Sequence, residues 1–185
     1  GQRVEALDWP DIYDGRLFMQ PASGSISPPV DDWVGLNADG EASWQPEYVA
    51  VLHNGQITEH ADPDDAFTTA VAGDVILVPN GTFTLSASHS LSGIDVAGIA
   101  GARDGCILQA TTDVGAVLLT IDHGQISDLT VDYSGADDAA TRTAVKLDDA
   151  TAASYAFNVR SECTNATGDA IGMLVEGSYA RNCVN

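Results

Sequence analysis

From Gly73 onward the chain consists of short apolar or β-branched runs separated by Gly, Asn, Asp and Ser, and this alternation constrains the fold more than any other feature. The run Val75–Val78 is separated from a second run, 82–85, by Pro79-Asn80-Gly81. Turn signals then recur at a spacing of about 8 to 12 residues, which is typical of a β-sandwich or a solenoid. The later runs are 94–99, 107–110, 116–121, 126–131, 143–147, 156–159 and 171–175.

Two pairs of related strings favour the solenoid over the sandwich, although agreement by chance stays open. The strings IDVAGI at 94–99 and ISDLTV at 126–131 share a pattern of apolar residues, with an offset of 32 between them. Cys-x-Asn occurs at 163–165 and again at 183–185. The offset between these two strings is 20. A coil of that length would place Cys163 over Cys183 and Asn165 over Asn185, about 4.8 Å apart, with the asparagines hydrogen-bonded to one another.

Two elements are predicted before these runs begin. Asn54-Gly55 separates 48–52 from 56–58, which predicts a β-hairpin with a tight turn. Asp62 and Pro63 have the chemistry of an N-cap and a first helical residue, and Gly73 that of a C-terminal stop. The sequence therefore predicts a helix over 63–72. Its buried face would consist of Ala66, Phe67, Ala70 and Val71.

The segment AFTTAVAGDVILVPNGTF at 66–83 resembles the segment that begins the right-handed parallel β-helices of the pectate-lyase-like superfamily. The resemblance implies an all-β fold: a right-handed parallel β-helix (solenoid) over 62–185 with a short N-terminal capping helix. A small irregular domain would occupy 1–61. Pro79-Asn80-Gly81 would be a corner between two sheets, with Gly81 at positive φ and Asp74 turning the chain out of the helix. Coils of 20 to 32 residues give roughly four or five turns, and the chain is expected to continue past Asn185 or to be covered there by a partner.

Charge restricts the classes of partner. The chain has 27 Asp and Glu against 7 Lys and Arg, a net charge of -20, with the acids scattered rather than blocked. Such a surface is typical of proteins from extreme halophiles, in which salt screens self-repulsion; an acidic mesophilic protein is the alternative. The balance argues against nucleic-acid binding. No run of 18 apolar residues predicts a membrane span, and no signal peptide is visible.

No catalytic residue is assigned from the sequence, and no cofactor is expected. β-Helix hydrolases need two carboxylates about 5 to 9 Å apart. Asp128 and Asp132 would share a strand face but lie about 13 Å apart. Solvated or turn-forming aspartates are the favoured interpretation, with structural cations left open and no histidine spacing that indicates a metal. The weak catalytic candidates are Asp132, Asp148, Asp149 and Asp169.

The N-terminal region contains the three tryptophans, Trp9, Trp33 and Trp44, among several prolines. They either pin a small domain without regular structure or form a docking surface in a larger assembly, and docking is the slightly favoured interpretation.

The leading hypothesis for function is a virion component, a tail or capsid spike or fibre of a haloarchaeal virus. Residues 1–61 would attach it to portal, capsid or tail proteins, and the β-helix would project and contact a host-surface glycan. A homo-oligomer, with a trimer favoured, is expected. The alternatives are a secreted polysaccharide lyase or glycoside hydrolase and a cell-surface adhesin.

Overall fold

The computed structural model describes residues 46–99, 103–136, 139–150 and 152–184. Trp9, Trp33 and Trp44 lie outside these residues, so their predicted docking role stays a prediction, as does the domain boundary at 61/62. The described part is a parallel β-solenoid of about four turns. Its single described α-helix, α1, covers Pro63–Thr69, and a short 3-10 turn covers Arg103–Gly105.

Fifteen strands form the described solenoid and its N-terminal hairpin. They are β1 (Val49–His53), β2 (Gln56–His60), β3 (Val75–Val78), β4 (Gly81–Thr84), β5 (His89–Ser92), β6 (Asp95–Gly98), β7 (Cys106–Ala110), β8 (Val117–Asp122), β9 (Gln125–Ser127), β10 (Thr130–Ala136), β11 (Arg142–Asp148), β12 (Tyr155–Phe157), β13 (Arg160–Asn165), β14 (Ala170–Val175) and β15 (Tyr179–Arg181).

Three sheets run along the solenoid, and each coil contributes one strand to each. The first sheet has the order β15-β12-β9-β6-β3-β1-β2, the second β13-β10-β7-β4 and the third β14-β11-β8-β5. Every pairing between two strands of the set β3 to β15 is parallel. A sandwich of antiparallel layers is therefore excluded, and the predicted all-β solenoid is confirmed.

The register of the first sheet gives the length of each coil. Ile76 pairs with Val96, an offset of 20 in the numbering, and Val96 pairs with Ile126, an offset of 30. The offset from Ile126 to Ala156 is again 30, and that from Ala156 to Ala180 is 24. These lengths lie within the predicted range of 20 to 32 residues. The register of the two strings differs from the prediction by two positions, because Ile126 pairs with Val96 and not with Ile94.

Apolar side chains stack in columns inside the solenoid because the strands are in register and alternate side chains point inward. In the first sheet the column is Ile76, Val96 and Ile126, all essentially buried. Leu91, Ile121 and Leu147 form the equivalent column in the third sheet. Together these columns form one continuous core.

The predicted hairpin is confirmed and is part of the first sheet. β1 and β2 join through Asn54 and Gly55, both at positive φ, as a two-residue turn requires. β1 also pairs antiparallel with β3. The prediction for Pro79-Asn80-Gly81 is likewise confirmed: β3 belongs to the first sheet and β4 to the second, and Gly81 has φ 145°.

The helix begins as predicted and ends earlier. Asp62 is the N-cap, because its carboxylate accepts a hydrogen bond from the Asp64 backbone N–H. The last helical residue is Thr69 rather than residue 72, so Val71 is 52% exposed instead of lying on the buried face. Ala70 is already extended, and just beyond it the buried Asp74 carboxylate accepts from the Val71 N–H and lies 2.6 Å from His53 Nδ1. Its predicted role in turning the chain out of the helix is confirmed.

Asp64 fastens the helix to the first coil. Its carboxylate accepts hydrogen bonds from the backbone N–H and hydroxyl of Ser86, at 2.8 and 2.7 Å, and lies 2.6 Å from His89 Nε2. The His89 ring packs against Phe67 of the helix, with ring centroids 4.9 Å apart. The helix therefore contacts the first coil at and just before β5 through one carboxylate and one apolar contact.

The corner between the first and second sheets is built from one column of polar residues. Asp128, Asn158 and Asn182 all have φ between 53° and 58°, the left-handed region that Asn and Asp tolerate best. Asn158 Nδ2 donates to Asp128 at 2.8 Å, and Asn182 Nδ2 donates to Asn158 Oδ1 at 3.0 Å. The corner also divides the run predicted at 126–131 into β9 and β10, so Asp128 does not share a strand face with Asp132.

The predicted stack of Cys163 on Cys183 is wrong. Arg160 bridges Val184, an offset of 24 in the numbering rather than the 20 that the two Cys-x-Asn strings suggest. Cys163 instead pairs with Tyr133 of the preceding coil. The expected stacking of asparagines does occur, but at Asn158 and Asn182, while Asn185 lies outside the described residues.

Replacing Asn158 tests this corner. We expect Asn158→Ala to lower the free energy of unfolding by about 2 to 3 kcal/mol, because two hydrogen bonds are lost and Ala is disfavoured at positive φ. Asn158→Gly should cost about 1 kcal/mol less, since Gly adopts this conformation readily. Urea denaturation measures both variants, and equal stability of the two would show that backbone conformation contributes nothing at this corner.

The Asp64 contact predicts a pH dependence. Burial raises the pKa of Asp64, but hydrogen bonds from Ser86 and His89 outweigh burial and hold the pKa below its ordinary value. A lowered acid pKa stabilises the fold above the unfolded-state pKa and stops doing so as the pH falls through the folded value. We expect Asp64→Asn to cost roughly 2 kcal/mol at neutral pH and progressively less below about pH 4.

The matched control is Asp65→Asn, which removes an exposed carboxylate from the same helical turn. Asp65→Asn should change the free energy of unfolding little, because Ser86 is hydrogen-bonded to Asp64 and not to Asp65. Both variants lose one negative charge, so a difference between them reports the contacts of Asp64. A stability difference between Asp64→Asn and the wild type that stayed constant to about pH 3 would contradict this account. Chemical denaturation over a pH series provides the measurement.

Candidate functional site

The outer face of the first sheet carries exposed aromatic side chains on its last two strands. Tyr155 and Phe157 of β12 pair in register with Tyr179 and Arg181 of β15. Alternation along each strand turns these four side chains outward while Ala156 between them is buried. We call this set of four residues, Tyr155, Phe157, Tyr179 and Arg181, the aromatic face.

The two tyrosines of the aromatic face stack on each other. Their ring centroids are 5.4 Å apart and the planes differ by 13°. Tyr155 is 51% and Tyr179 62% exposed, and Phe157 beside them is 45% exposed. Large apolar side chains grouped in this way on a protein surface mark interaction sites more often than singly scattered ones do.

The neighbouring strands give the aromatic face a polar border. Gln125 of β9 pairs with Tyr155, and Ser127 pairs with Phe157. One coil earlier, Ala97 pairs with Ser127, and Asp95 accepts a hydrogen bond from the Gln125 backbone N–H at 2.8 Å. Gln125 and Asp95 are exposed and Ser127 is buried, so the exposed polar border of the aromatic face lies beside Tyr155.

The outer face of the second sheet carries a pair of carboxylates. Asp132 of β10 pairs in register with Glu162 of β13. Neighbouring strands lie about 4.8 Å apart, so the two side chains leave the sheet side by side. Glu162 is hydrogen-bonded to Arg160, whose Nε lies 2.7 Å from its carboxylate. Gln109 continues the row on β7.

Asp132 is perturbed by this environment. Burial raises its pKa, the negative charge of Glu162 raises it further, and a hydrogen bond from Ser134 opposes both. A carboxyl group with a raised pKa beside a second carboxylate is the arrangement that glycosidases use for a general acid and its partner. Asp132 thus has the environment of a proton donor.

The other three candidates lie elsewhere. Asp148 ends β11 on the third sheet, where the Lys146 ammonium group donates to it at 2.9 Å and lowers its pKa, although burial opposes this. Asp149 follows it in an exposed turn, and its backbone N–H donates to Asp148. Asp169 is exposed before β14, and its carbonyl oxygen accepts from the Arg142 N–H. The structure brings none of these three next to Asp132.

An acidic row runs along the third sheet beside Lys146. Asp122 pairs with Asp148, and Glu176 is bound to Lys146 at 2.9 Å. Among the described residues, no group of three or more His, Cys, Asp or Glu side chains has the arrangement of a metal site. The row is therefore best explained as a charged surface in which the Lys146 ammonium group lies between Asp148 and Glu176.

The sequence interpretation missed the aromatic face and Glu162. A signal for the first was present: Ser-Tyr-Ala-x-Asn occurs at 154–158 and again at 178–182. That repeat has the true offset of 24 and contains both stacked tyrosines and both ladder asparagines. Glu162 had no comparable signal, because its closeness to Asp132 depends on the register between coils.

The carboxylate pair yields a measurable prediction. We expect Glu162→Gln to lower the pKa of Asp132, because a neighbouring negative charge is removed, while burial keeps the pKa above its usual value. Carbon-13 NMR titration of the side-chain carboxyl measures the shift. Glu176→Gln on the third sheet is the control and should leave Asp132 unchanged; an unchanged pKa in Glu162→Gln would show that the two carboxylates do not interact.

No helix in the described residues is both long and apolar enough to cross a membrane. Comparison of the chain with protein-family models, with curated proteins and with solved structures found no match.

Proposed function

We propose that this chain is a projecting β-solenoid that binds carbohydrate through its aromatic face. The observation that carries the proposal is the exposed stack of Tyr155 on Tyr179 beside Phe157. The faces of aromatic rings carry partial negative charge and attract the polarised C–H groups on the apolar face of a sugar ring. Gln125 and Asp95 at the border supply hydrogen-bonding groups for hydroxyls at the sugar's edge.

We further propose that this solenoid belongs to a spike or fibre of a virus that infects a halophilic archaeon, with the right-handed coil of the pectate-lyase-like superfamily. The acidic composition supports the high-salt setting, and right-handed connections are the rule for parallel strands. Residues 1–61, with Trp9, Trp33 and Trp44, would attach the chain to portal, capsid or tail proteins as a homotrimer. If the chain is instead a cell-surface adhesin, it would bind glycan through the same aromatic face while attached to a cell and not to a virus particle.

A binding experiment with paired variants tests the glycan proposal. A glycan array in molar salt identifies a ligand, and calorimetry then compares wild type with Tyr155→Ala and Tyr179→Ala. We expect each variant to bind roughly tenfold more weakly, because stacking on one ring contributes about 1 kcal/mol or more. The control is Tyr48→Ala, an exposed tyrosine before β1 at the opposite end of the sheet. Unchanged affinity in both aromatic-face variants would disprove the proposal.

A glycoside hydrolase is the second candidate, favoured by the Asp132–Glu162 pair. Asp132, with its raised pKa, would donate a proton to the leaving glycosidic oxygen while the Glu162 carboxylate attacks the sugar carbon. Carboxylates on adjacent strands are close enough for the retaining mechanism, in which the groups lie about 5 Å apart. Water would then release the sugar, with Asp132 as the base.

Release of reducing ends from glycans tests this second candidate. We expect Asp132→Asn and Glu162→Gln each to lower the rate by roughly a thousandfold or more, and Asp149→Asn to leave it unchanged. A rate that survives both substitutions would remove the pair from any mechanism. Wild-type binding without turnover would leave the aromatic face as the functional site.

A further inference from the structure

Arg181 differs from the other described basic residues in having no carboxylate within salt-bridge distance among the residues that the structure describes. The chain contains 27 acidic and 7 basic residues, so a basic side chain without an acidic partner is unexpected. The remaining described cations are all paired. The pairs are Arg103 with Asp104, Arg142 with Asp113, Lys146 with Asp148 and Glu176, and Arg160 with Glu162.

The position of Arg181 links it to the aromatic face. It pairs in register with Phe157 and follows Tyr179 by two residues on the same side of β15, about 7 Å along the strand. Arg181 is exposed, so its guanidinium group is available to a ligand. A sugar stacked on either tyrosine would therefore have its ring substituents within reach of five N–H donors arranged as a planar fork.

We propose that the ligand of the aromatic face is an acidic polysaccharide, whose anionic group binds Arg181 while a sugar ring stacks on the tyrosines. This inference rests on the proposed glycan-binding function and adds the charge of the ligand to it. A guanidinium fork binds carboxylate or sulfate oxygens through two parallel hydrogen bonds, and neutral sugars offer no such group. Arg181 thereby selects among glycans, and the tyrosines supply contact area.

Because the protein surface is acidic, the preference for an acidic polysaccharide must come from direct contact with Arg181 and not from long-range electrostatic attraction. With a net charge of -20 the protein repels polyanions in dilute buffer. At about 1 M salt the screening length falls to roughly 3 Å, so long-range repulsion disappears while bonded groups in contact still attract. Binding should therefore be measured in molar salt, where the contact at Arg181 decides the outcome.

The experiment compares three polymers on the same protein by calorimetry in molar salt. Hyaluronan carries carboxylates, dextran sulfate carries sulfates, and dextran is neutral. We expect wild type to bind at least one acidic polymer about tenfold or more tightly than dextran. Arg181→Gln should remove that preference and leave dextran binding unchanged, and Arg181→Lys should keep part of it because the charge stays while the fork is lost.

The control is Arg103→Gln, which removes an arginine that is paired with Asp104 and should retain the preference. Circular dichroism verifies that Arg181→Gln remains folded. Dextran bound as tightly as the acidic polymers, or an Arg181→Gln variant that keeps the preference, would overturn the acidic-ligand inference while leaving glycan binding intact. Absence of binding to all three polymers and to a glycan array would overturn both proposals. A preference for hyaluronan or for dextran sulfate supports the inference and identifies the anion.

Discussion

The parallel hydrogen bonding that holds each coil in register on the preceding coil is the constraint on which the rest of this structure depends. Because the pairing is in register, a residue's neighbours in the fold are its equivalents 20 to 30 positions away. An apolar side chain at one inward position therefore needs apolar partners at the same position in the coils before and after. The same pairing forces outward side chains into columns, which is how Tyr155 meets Tyr179 and Asp132 meets Glu162.

Register in turn depends on the corners, since a coil can change its length only between strands. The coils differ in length by up to ten positions, yet Asp128, Asn158 and Asn182 occupy the same left-handed corner and bond to one another. At Gly98, one coil earlier, a Cβ would lie 2.0 Å from the carbonyl oxygen of Asp128, so the position excludes any larger residue. The corner after the first sheet therefore contains two residues where β9 and β12 end, whereas between β6 and β7 it runs from 99 to 105 and includes the 3-10 turn Arg103–Gly105.

Turn and capping chemistry were sufficient to predict the hairpin and the helix start. The solenoid and the corner at Pro79-Asn80-Gly81 were predicted from recurring strings and from the family resemblance of 66–83. These signals were insufficient for register, because the residues that determine it recur only at unequal intervals. Two-position agreement between the Cys-x-Asn strings gave an offset of 20, whereas the pattern shared by 154–158 and 178–182 has the true offset of 24. Asp128 was assigned to a strand because its positive φ cannot be recognised from an apolar run around it. The carboxylate pair could not be predicted for the same reason as the register, since it joins residues 30 positions apart.

The interior of such a coil leaves little freedom for function, because every inward position belongs to a packed column. The outward positions carry no such restriction, and there the fourth coil differs from those before it. Where β6 and β9 have Ala97 and the buried Ser127, β12 has the exposed Phe157, and β15 has the exposed Arg181 at the same position. An exposed ring at such a site gains nothing from the core, and a cation with no carboxylate partner in the described part of the chain gains little from the acidic surface around it. The proposed ligand, with an apolar face and a negative charge, would account for both side chains, whereas the stability of the fold accounts for neither.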